Sequence, residues 1–417
     1  MTGFSNDLVR PFAGLRAAPD RAAEIAAPPY DVINVDEARE LAKNKPFSFL
    51  HISRAEIDLP LNTNPYADEV YAQAGRNLRS FEKQGLLVRD SQPHFYLYRM
   101  RAGDRTQTGI ALSASVEAYL ANRIRKHELT RPAKEDDRVR QIDSVDAITG
   151  PVLLVYRREA ELSALFSRMS KIPADATVPD LHGVQHELWC IADPEDVSTI
   201  ARLFNGLNAL YIADGHHRSA AAARIASARR AKNTAHTGDE PYNGFLAVAF
   251  PDDEVTILDY NRVVRDLNGH SSEAFISALE TNFDVSIRSR PVKPATAHTF
   301  GMYFGGSWYT LTPKHSISKD DPVERLDVRI LDTRILAPML GITDPRTDSR
   351  IDFIGGSRGP EAIAMRVDSG EMAVGFTLFP TSLSDLMSVA DADKIMPPKS
   401  TWFDPKLADG LISLPLS

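Results

Sequence analysis

Residues 210–218 read LYIADGHHR, and residues 219–225 read SAAAARI. The first four letters form an apolar run typical of a β-strand, and the alanine-rich run favours a helix, so the chain changes from strand to helix at Asp214-Gly215. A helix N-terminus presents unpaired N–H groups and the positive end of its dipole, which attract anions. An arginine there adds a fork of donors that matches phosphate oxygens. We interpret this turn as a phosphate-binding element.

Each polar residue of the turn also has an ordinary structural explanation. Asp214 is of a type common at helix N-caps, Gly215 permits a sharp turn, and residues such as His216, His217 and Arg218 are common on surfaces. Four groups that handle charge or protons at one strand-to-helix turn nevertheless favour function, because catalytic groups concentrate in such loops.

Composition limits the class of protein. A chain of 417 residues with 43% hydrophobic and 25% charged residues is typical of a globular protein of two or three domains. The net charge of −8 argues against general nucleic-acid binding. No apolar run is long enough for a membrane span, and the N-terminal residues lack a secretory core, so we expect no membrane partner and a cytoplasmic location. The single cysteine, Cys190, excludes an internal disulfide and a cysteine-rich zinc site, and we expect it to be buried.

The pattern of elements predicts an α+β chain with mixed sheets and several domains. We expect an N-terminal α+β region at 1–112, a core with the chemical motifs at 113–254, and a C-terminal α+β region at 255–417. Helices are expected over 65–85, 159–170, 194–206, 271–282, 326–340 and 382–391. Strands are expected over 47–52, 95–100, 108–113, 150–156, 184–192, 245–250, 351–354, 362–367 and 372–379, with a strand pair over 299–312.

A second group of polar residues precedes the turn. Residues 125–138 read RKHELTRPAKEDDR, which by composition alone favours a solvated helix face with salt bridges. His127 and Glu128 come before the helix that Pro132 can start, and Lys134 and Glu135 lie in its first turn. A carboxylate can take a proton from a hydroxyl, acidic oxygens can hold Mg²⁺, and a lysine can neutralise a transferring phosphoryl group. A P-loop and a GxGxxG motif are both absent.

Three further segments are weaker signals. Residues 355–359, GGSRG, could contact phosphate, but a plain loop is favoured. Residues 28–31, PPYD, either form a rigid turn or supply a tyrosine or aspartate to a pocket. Residues 399–401, KST, lie in a proline-rich tail that either covers a site or packs on the surface.

Together these motifs resemble a known family. The segments RPF (10–12), PPYD (28–31), KHELT (126–130), ADGHHR (213–218) and MPPKST (396–401) look like the bacterial and archaeal family filed as domain of unknown function 1015. The resemblance covers nearly the whole chain. The DGHHR turn is also similar to the nucleotide-binding motif of the ParB/sulfiredoxin-like fold, in which free serine kinases use the turn for nucleotide phosphates and an upstream glutamate as base on the serine hydroxyl.

This resemblance implies roles for particular residues. The nucleotide-binding residues would be Asp214, Gly215, His216, His217 and Arg218. Glu128 would be the base, and Asp214 would orient the turn or bind the metal through water. From the chemistry of the residues themselves we add His127 and Lys134 to the catalytic residues and Glu135 to the metal ligands.

Three functions follow as hypotheses. The first is a kinase that uses ATP or ADP with Mg²⁺ to phosphorylate a small hydroxyl compound, with free L-serine converted to O-phosphoserine as the first candidate. The second is a nucleotide-binding regulatory protein of ParB type, although the chain shows no basic face or helix-turn-helix. The third is a metal-dependent hydrolase that uses His216, His217 and nearby carboxylates. The partners would be an amino acid and a nucleotide; the choice of nucleotide and the oligomeric state stay open.

Overall fold

The structure is a computed structural model that describes residues 7–317 and 320–417. The contacts of these residues form two compact units. Unit 1 comprises the described residues up to Val255 together with Pro405–Ser417, and unit 2 comprises those from Thr256 to Asp404. The chain therefore leaves unit 1, builds unit 2, and returns to unit 1 for its last segment.

The elements are numbered in chain order. The helices are α1 (Ala22–Ile25), α2 (Val35–Ala42), α3 (Leu50–Ser53), α4 (Asp68–Lys83), α5 (Val116–Leu120), α6 (Pro132–Val145), α7 (Ala160–Met169), α8 (Pro194–Asn205), α9 (His216–Lys232), α10 (Ser272–Asn282), α11 (Asp327–Leu331), α12 (Glu361–Asp368) and α13 (Leu383–Asp391). A π-helical turn, Asp332–Leu336, follows α11. Short 3₁₀ turns lie at Pro19–Arg21, Ala55–Asp58, Pro241–Asn243 and Gly356–Arg358.

The strands are β1 (Val9–Arg10), β2 (Leu15–Ala17), β3 (Leu87–Arg89), β4 (Phe95–Ala102), β5 (Arg105–Ser115), β6 (Ile124–Arg125), β7 (Ala147–Ile148), β8 (Val152–Tyr156), β9 (Ala176–Leu181), β10 (Val184–Ile191), β11 (Leu210–Asp214), β12 (Gly244–Pro251), β13 (Ile257–Leu258), β14 (Tyr260–Val264), β15 (Phe283–Arg288), β16 (Phe300–Phe304), β17 (Ser307–Pro313), β18 (Ile351–Gly355), β19 (Val374–Thr377), β20 (Trp402–Phe403) and β21 (Ile412–Pro415).

Unit 1 is built on a mixed sheet in the order β6-β11-β8-β12-β5-β4-β10-β9, with β1 also paired to β5. β8 and β12 run parallel, and every residue in both strands is buried. Strands buried on both faces read as continuous apolar runs, which explains why the runs at 150–156 and 245–250 predict them correctly. A smaller sheet, β3-β2-β21-β7, uses the returning C-terminal segment as an inner strand.

Strand β11 ends at the turn for which the sequence predicts phosphate binding. It pairs with β6 in parallel and with β8 antiparallel, and its register against β8 shifts between Ile212 and Asp214. Such a bulge redirects the side chains that follow it. Helix α9 begins directly after the bulge and packs against α6, whose first residue is Pro132 as predicted. This packing sets the loop before α6 beside the start of α9.

Unit 2 contains an antiparallel sheet in the order β15-β17-β16-β19-β14-β18 and a separate pair, β13-β20. Its core includes a cluster of buried side chains from the sheet, α12 and the connection from α12 to β19: Val263, Tyr303, Trp308, Ile354, Ile363 and Met372. The predicted hairpin over 299–312 is present as β16 and β17.

Three local predictions are wrong. The strand predicted over 47–52 is a turn and the start of α3, and the strand predicted over 362–367 is α12. Both are short apolar runs, in which periodicity alone does not separate a strand from a packed helix. Ile363 is buried whereas Met365 is exposed. Residues two positions apart share a face in a strand but not in a helix, so this difference fits a helix with one buried face. Cys190 is half-buried and not in the core, and burial of its thiol still raises its pKa to about 11.

The mixed α+β architecture with several sheets is confirmed, whereas the likeness of the core to the ParB fold stays a prediction. The division into three regions also stays a prediction; its first boundary, after residue 112, falls within β5, and its second falls next to the junction of the two units. Across residues 7–317 and 320–417, no helix combines the length and apolar character that a bilayer crossing requires.

Candidate functional site

The turn between β11 and α9 depends on a glycine. Gly215 has φ +98°, and a side chain there would come within 3.3 Å of the Val152 backbone. The Gly215 carbonyl accepts the backbone N–H groups of Arg218 and Ser219 at 2.9 and 3.1 Å. Among the described residues, no side chain caps the start of α9, and its first turn contains no acidic residue. The first turn of α9 therefore supplies no negative partner of its own for the positive end of the helix dipole, although Asp214 directly precedes Gly215.

The His-Glu segment meets this turn directly. Oε2 of Glu128 lies 3.9 Å from Nδ1 of His216, and the backbone N–H of His127 donates to Nε2 of His216 at 3.5 Å. The His127 and His216 rings stand edge to face with centroids 4.5 Å apart. The backbone N–H of Arg131 donates to His217 at 3.0 Å. Two segments that are 86 to 89 residues apart in sequence thus form one cluster.

The two inner histidines are buried and neutral. Burial lowers the pKa of His127 to about 4 and holds the pKa of His216 well below its usual value. The His127 ring bonds to the backbone of Ile212, and its buried Nδ1 has no hydrogen-bond partner in the part of the chain that the structure describes. His127, Glu128 and His216 bring potential ligand atoms within 4.8 Å of one another, so this trio is a possible cation site.

Asp214 makes an ion pair with a residue that the sequence analysis does not identify. Nζ of Lys406 lies 2.9 Å from Oδ2 of Asp214. Burial alone would raise the pKa of the Asp214 carboxyl, but Lys406 and Arg218 outweigh it and hold that pKa well below its usual value. The carboxylate is charged and already has a cationic partner. Lys406 belongs to the segment that returns from unit 2, and only its place in the proline-rich tail could have drawn attention to it.

Arg218 lies in an acidic pocket. Its side chain is 6% exposed and donates to the Pro151 carbonyl and to Oδ2 of Asp31, both at 2.7 Å. The guanidinium also lies over the Tyr30 ring, 5.4 Å from the centroid. Tyr30 and Asp31 belong to the PPYD segment, so that segment supplies a pocket residue as well as a turn. Arg218 is predicted to bind phosphate. In this structure its Nη1 and Nη2 serve protein acceptors, whereas its buried Nε has no hydrogen-bond partner among the described residues.

A second aspartate, Asp409, lies in the same pocket and is almost completely buried. Its Oδ2 accepts the backbone N–H of Tyr30 at 3.3 Å. Burial, reinforced by Asp31 and opposed by Arg218, raises the pKa of Asp409 to about 7. A cavity of about 20 Å³ adjoins it, large enough for a water molecule. Its walls include Ser53, Arg138, Thr149, Gly150, Arg218 and Asp409.

The remaining predicted residues lie at the edge of the cluster. Nζ of Lys134 donates to the Tyr66 hydroxyl at 3.1 Å. Glu135 accepts the Thr130 hydroxyl and pairs with Arg224 at 3.4 Å. Lys134 and Glu135 both act on the pKa of His217, which burial lowers, so they lie near that histidine. Among the described residues, the trio of potential ligands that lie close together is His127, Glu128 and His216. The assignment of Asp214 and Glu135 as metal ligands stays a prediction.

Comparison with solved structures gives distant matches. A free serine kinase in complex with AMP overlaps at TM-score 0.34 and 12% identity, over 71% of this chain and 86% of that one. SbnI from Staphylococcus aureus, truncated at its C-terminus, overlaps at TM-score 0.38 and 10% identity, over 72% of this chain and 85% of that one. A conserved hypothetical protein from Pyrococcus furiosus overlaps at TM-score 0.33 and 11% identity, over 72% of this chain and 93% of that one. Overlap this low assigns no function.

The curated proteins contain no match to this chain. A family model, described as a protein of unknown function, matches residues 9–329, which include both motifs of the cluster and end before Lys406 and Asp409. On that match, over most of its length, this chain belongs to the DUF1015 family.

Proposed function

We propose that unit 1 is a nucleotide-dependent phosphotransferase that phosphorylates the hydroxyl of a small molecule, with free L-serine as the first candidate acceptor. The observation that carries the proposal is that Glu128 lies beside the start of α9, which no side chain of the described residues caps. Its Oε2 is 3.9 Å from Nδ1 of His216, the first residue of that helix. A base for a hydroxyl and a positive helix end for phosphate are the two parts that phosphoryl transfer needs in one place.

The phosphate of ATP or ADP would bind the first N–H groups of α9, at His216 and His217. Lys406 lies at the turn, because it already pairs with Asp214. A lysine there would neutralise charge on the transferring group. Mg²⁺ would arrive with the nucleotide, held largely by phosphates and water, with Asp214 and Glu135 as the candidate protein contacts.

Glu128 suits the role of base by its exposure. Its side chain is 39% exposed, whereas the neighbouring His216 is buried, so a substrate can approach the carboxylate from solvent. In the reaction, the acceptor oxygen forms a bond to the terminal phosphorus while the bond from that phosphorus to the nucleotide's bridging oxygen breaks. The hydroxyl proton passes to Glu128, and the neutral imidazole of His216 holds the carboxylate beside the helix start.

The experiment is an assay of phosphoserine formation by the full chain with Mg²⁺, L-serine and either ATP or ADP. Glu128→Gln keeps the shape of the side chain and removes the base, so we expect the rate to fall about 10²- to 10⁴-fold. Glu195→Gln, at an exposed position in the first turn of α8, is the matched control and should retain the wild-type rate.

Two results would count against the proposal. If the wild type phosphorylates neither L-serine nor any other small alcohol in a panel, with either nucleotide, the assignment as a phosphotransferase is wrong. If Glu128→Gln is as active as Glu195→Gln, phosphoryl transfer does not use this carboxylate.

A further inference from the structure

We infer that His127, Glu128 and His216 form a binding site for a transition-metal ion of the Zn²⁺ class, and that an ion bound there prevents Glu128 from accepting a substrate proton. The second half of this inference rests on the proposed function. The first half stands on the geometry of the three side chains.

The spacing is close to that of a metal site. The potential ligand atoms lie within 4.8 Å of one another. Tetrahedral zinc with ligands at about 2.0–2.2 Å requires ligand atoms about 3.3 Å apart. The two ligand atoms that are farthest apart must therefore approach each other by about 1.5 Å. Glu128 can supply most of that movement, because it is the exposed member of the trio and belongs to the loop before α6.

The His127 ring is oriented like a metal ligand. It is 2% exposed, bonds to the backbone of Ile212, and leaves its Nδ1 buried and without a partner in the described part of the chain. Metal-binding histidines commonly donate one ring N–H to a backbone carbonyl, which fixes the ring and leaves the other nitrogen for the ion. Buried polar atoms without a partner are uncommon, and a cation would satisfy this one.

His216 can offer a nitrogen at little cost. Its one hydrogen bond to the His127 backbone is 3.5 Å long, at the limit of such contacts. Release of that bond lets either ring nitrogen face an ion. Asp214 is close enough to act on the pKa of both imidazoles, so a second carboxylate adds negative charge near the ion.

The donor set selects the kind of ion. Two imidazoles and one carboxylate suit Zn²⁺ and its neighbours in the first transition row, whereas Mg²⁺ prefers oxygen ligands and retains its waters. Three protein ligands leave a fourth position open, and the exposed side of Glu128 gives an ion access from solvent. The Mg²⁺ that accompanies a nucleotide would not compete for this position.

The test is a calorimetric titration of the chelator-treated full chain, free of any histidine tag, with Zn²⁺ and separately with Mg²⁺. We expect one equivalent of Zn²⁺ to bind, with Mg²⁺ at least about 100-fold weaker. Glu128→Gln should weaken Zn²⁺ binding at least about tenfold, and His127→Gln should do the same. His217→Gln removes an adjacent histidine outside the trio and should leave the affinity unchanged.

The outcomes separate clearly. No saturable Zn²⁺ binding, equal affinity for Mg²⁺, or Zn²⁺ affinity unchanged in Glu128→Gln would overturn the site. A loss in His217→Gln equal to that in Glu128→Gln would overturn the assignment of ligands. If His127→Gln does not fold, the half-exposed Glu128 variant still decides the matter. The titration uses neither nucleotide nor acceptor, so its failure leaves the proposed kinase standing. An inactive wild type that binds Zn²⁺ would remove the proposed kinase and the inhibition that depends on it, and would leave the metal site.

If both proposals hold, Zn²⁺ should inhibit phosphoryl transfer at the concentration at which it fills the trio. Excess chelator should restore the rate. Full activity of the protein with one equivalent of Zn²⁺ bound would contradict the claim that the ion and the substrate proton compete for Glu128.

Discussion

The turn at Gly215 and the loop at 355–359 both combine glycine and arginine after a strand, but only the turn at Gly215 is surrounded by charged side chains from other segments. The turn at Gly215 ends β11, and the loop at 355–359 ends β18. At the first, Arg218 is buried against Asp31, and further polar groups arrive from distant segments. At the second, Arg358 is exposed. A glycine and an arginine at a strand end therefore do not identify a site; converging charged residues do.

The glycines of the two turns also serve different purposes. Gly215 adopts a left-handed conformation that starts α9. Gly355 and Gly356 have no such conformation, but a side chain at either position would collide with Trp402 or Asp259, at 2.8 and 2.4 Å. Gly355 and Gly356 thus permit close packing, whereas Gly215 sets the direction of the chain.

The largest difference should come from the arginines. Arg218→Met leaves both the Pro151 carbonyl and Asp31 without their donor and should lower the free energy of unfolding by about 3–5 kcal/mol. Arg358→Met changes an exposed side chain and should stay within about 0.5 kcal/mol. Denaturant unfolding measures both. Similar values for the two variants would show that the acidic pocket does not depend on Arg218.

Substitution of Gly215 and of Gly356 should lower stability by similar amounts but differ in the effect on nucleotide affinity. Gly215→Ala forces a left-handed alanine against Val152 and should cost about 2 kcal/mol. Gly356→Ala places a methyl group against Asp259 and should cost a similar amount, about 1–3 kcal/mol. Nucleotide affinity should fall only in the Gly215 variant. Equal affinity in both variants would mean that the turn at Gly215 does not contact the nucleotide.

Substitution of Lys406 and of Lys134 should produce a smaller difference, in nucleotide affinity. Lys406→Met removes the cation beside Asp214 and should weaken nucleotide binding about tenfold, the worth of one charge-assisted hydrogen bond. Lys134→Met removes a lysine that bonds to Tyr66 and should change affinity by no more than about twofold. A larger effect at Lys134 would restore it as the phosphate-binding lysine that the sequence predicts.

A further expected effect of this acidic pocket is one of pH. The folded pKa of Asp409, about 7, lies above the value near 4 of an unfolded aspartate. Between these pH values the folded chain keeps a proton that the unfolded chain has released, so this contribution to stability is lost as the pH rises through 7. Asp409→Asn cannot titrate. The wild type should therefore lose stability relative to this variant between pH 4 and 7, and parallel curves would show that Asp409 is not protonated in the folded state.

The sequence predicts local structure well where one pattern dominates. The strand at 210–214, the helix after it and the buried strands over 150–156 and 245–250 follow from composition and periodicity alone. Residues 47–52 and 362–367 are too short and too apolar for the same argument, because packing decides their conformation. The pairing of the two motifs was inferred from a family resemblance and not from any local pattern.

The rest of the site depends on distant contacts that no local pattern encodes. Lys406 and Asp409 reach the cluster only because the chain returns from unit 2, and neither differs in sequence from an ordinary charged residue near a terminus. Asp31 belongs to the PPYD segment, but its pairing with Arg218 joins residues that are 187 positions apart. The cluster of His127, Glu128 and His216 likewise depends on how α6 packs against α9.

The central claim is that the start of α9 binds a nucleotide while Glu128 performs the chemistry. Calorimetric titration of the wild type and of Glu128→Gln with ADP tests it most directly. We expect saturable binding with the same affinity in both proteins, because the base is not a phosphate ligand, together with weaker binding in Gly215→Ala. No saturable binding to the wild type, or an affinity that Gly215→Ala leaves unchanged, would contradict the account.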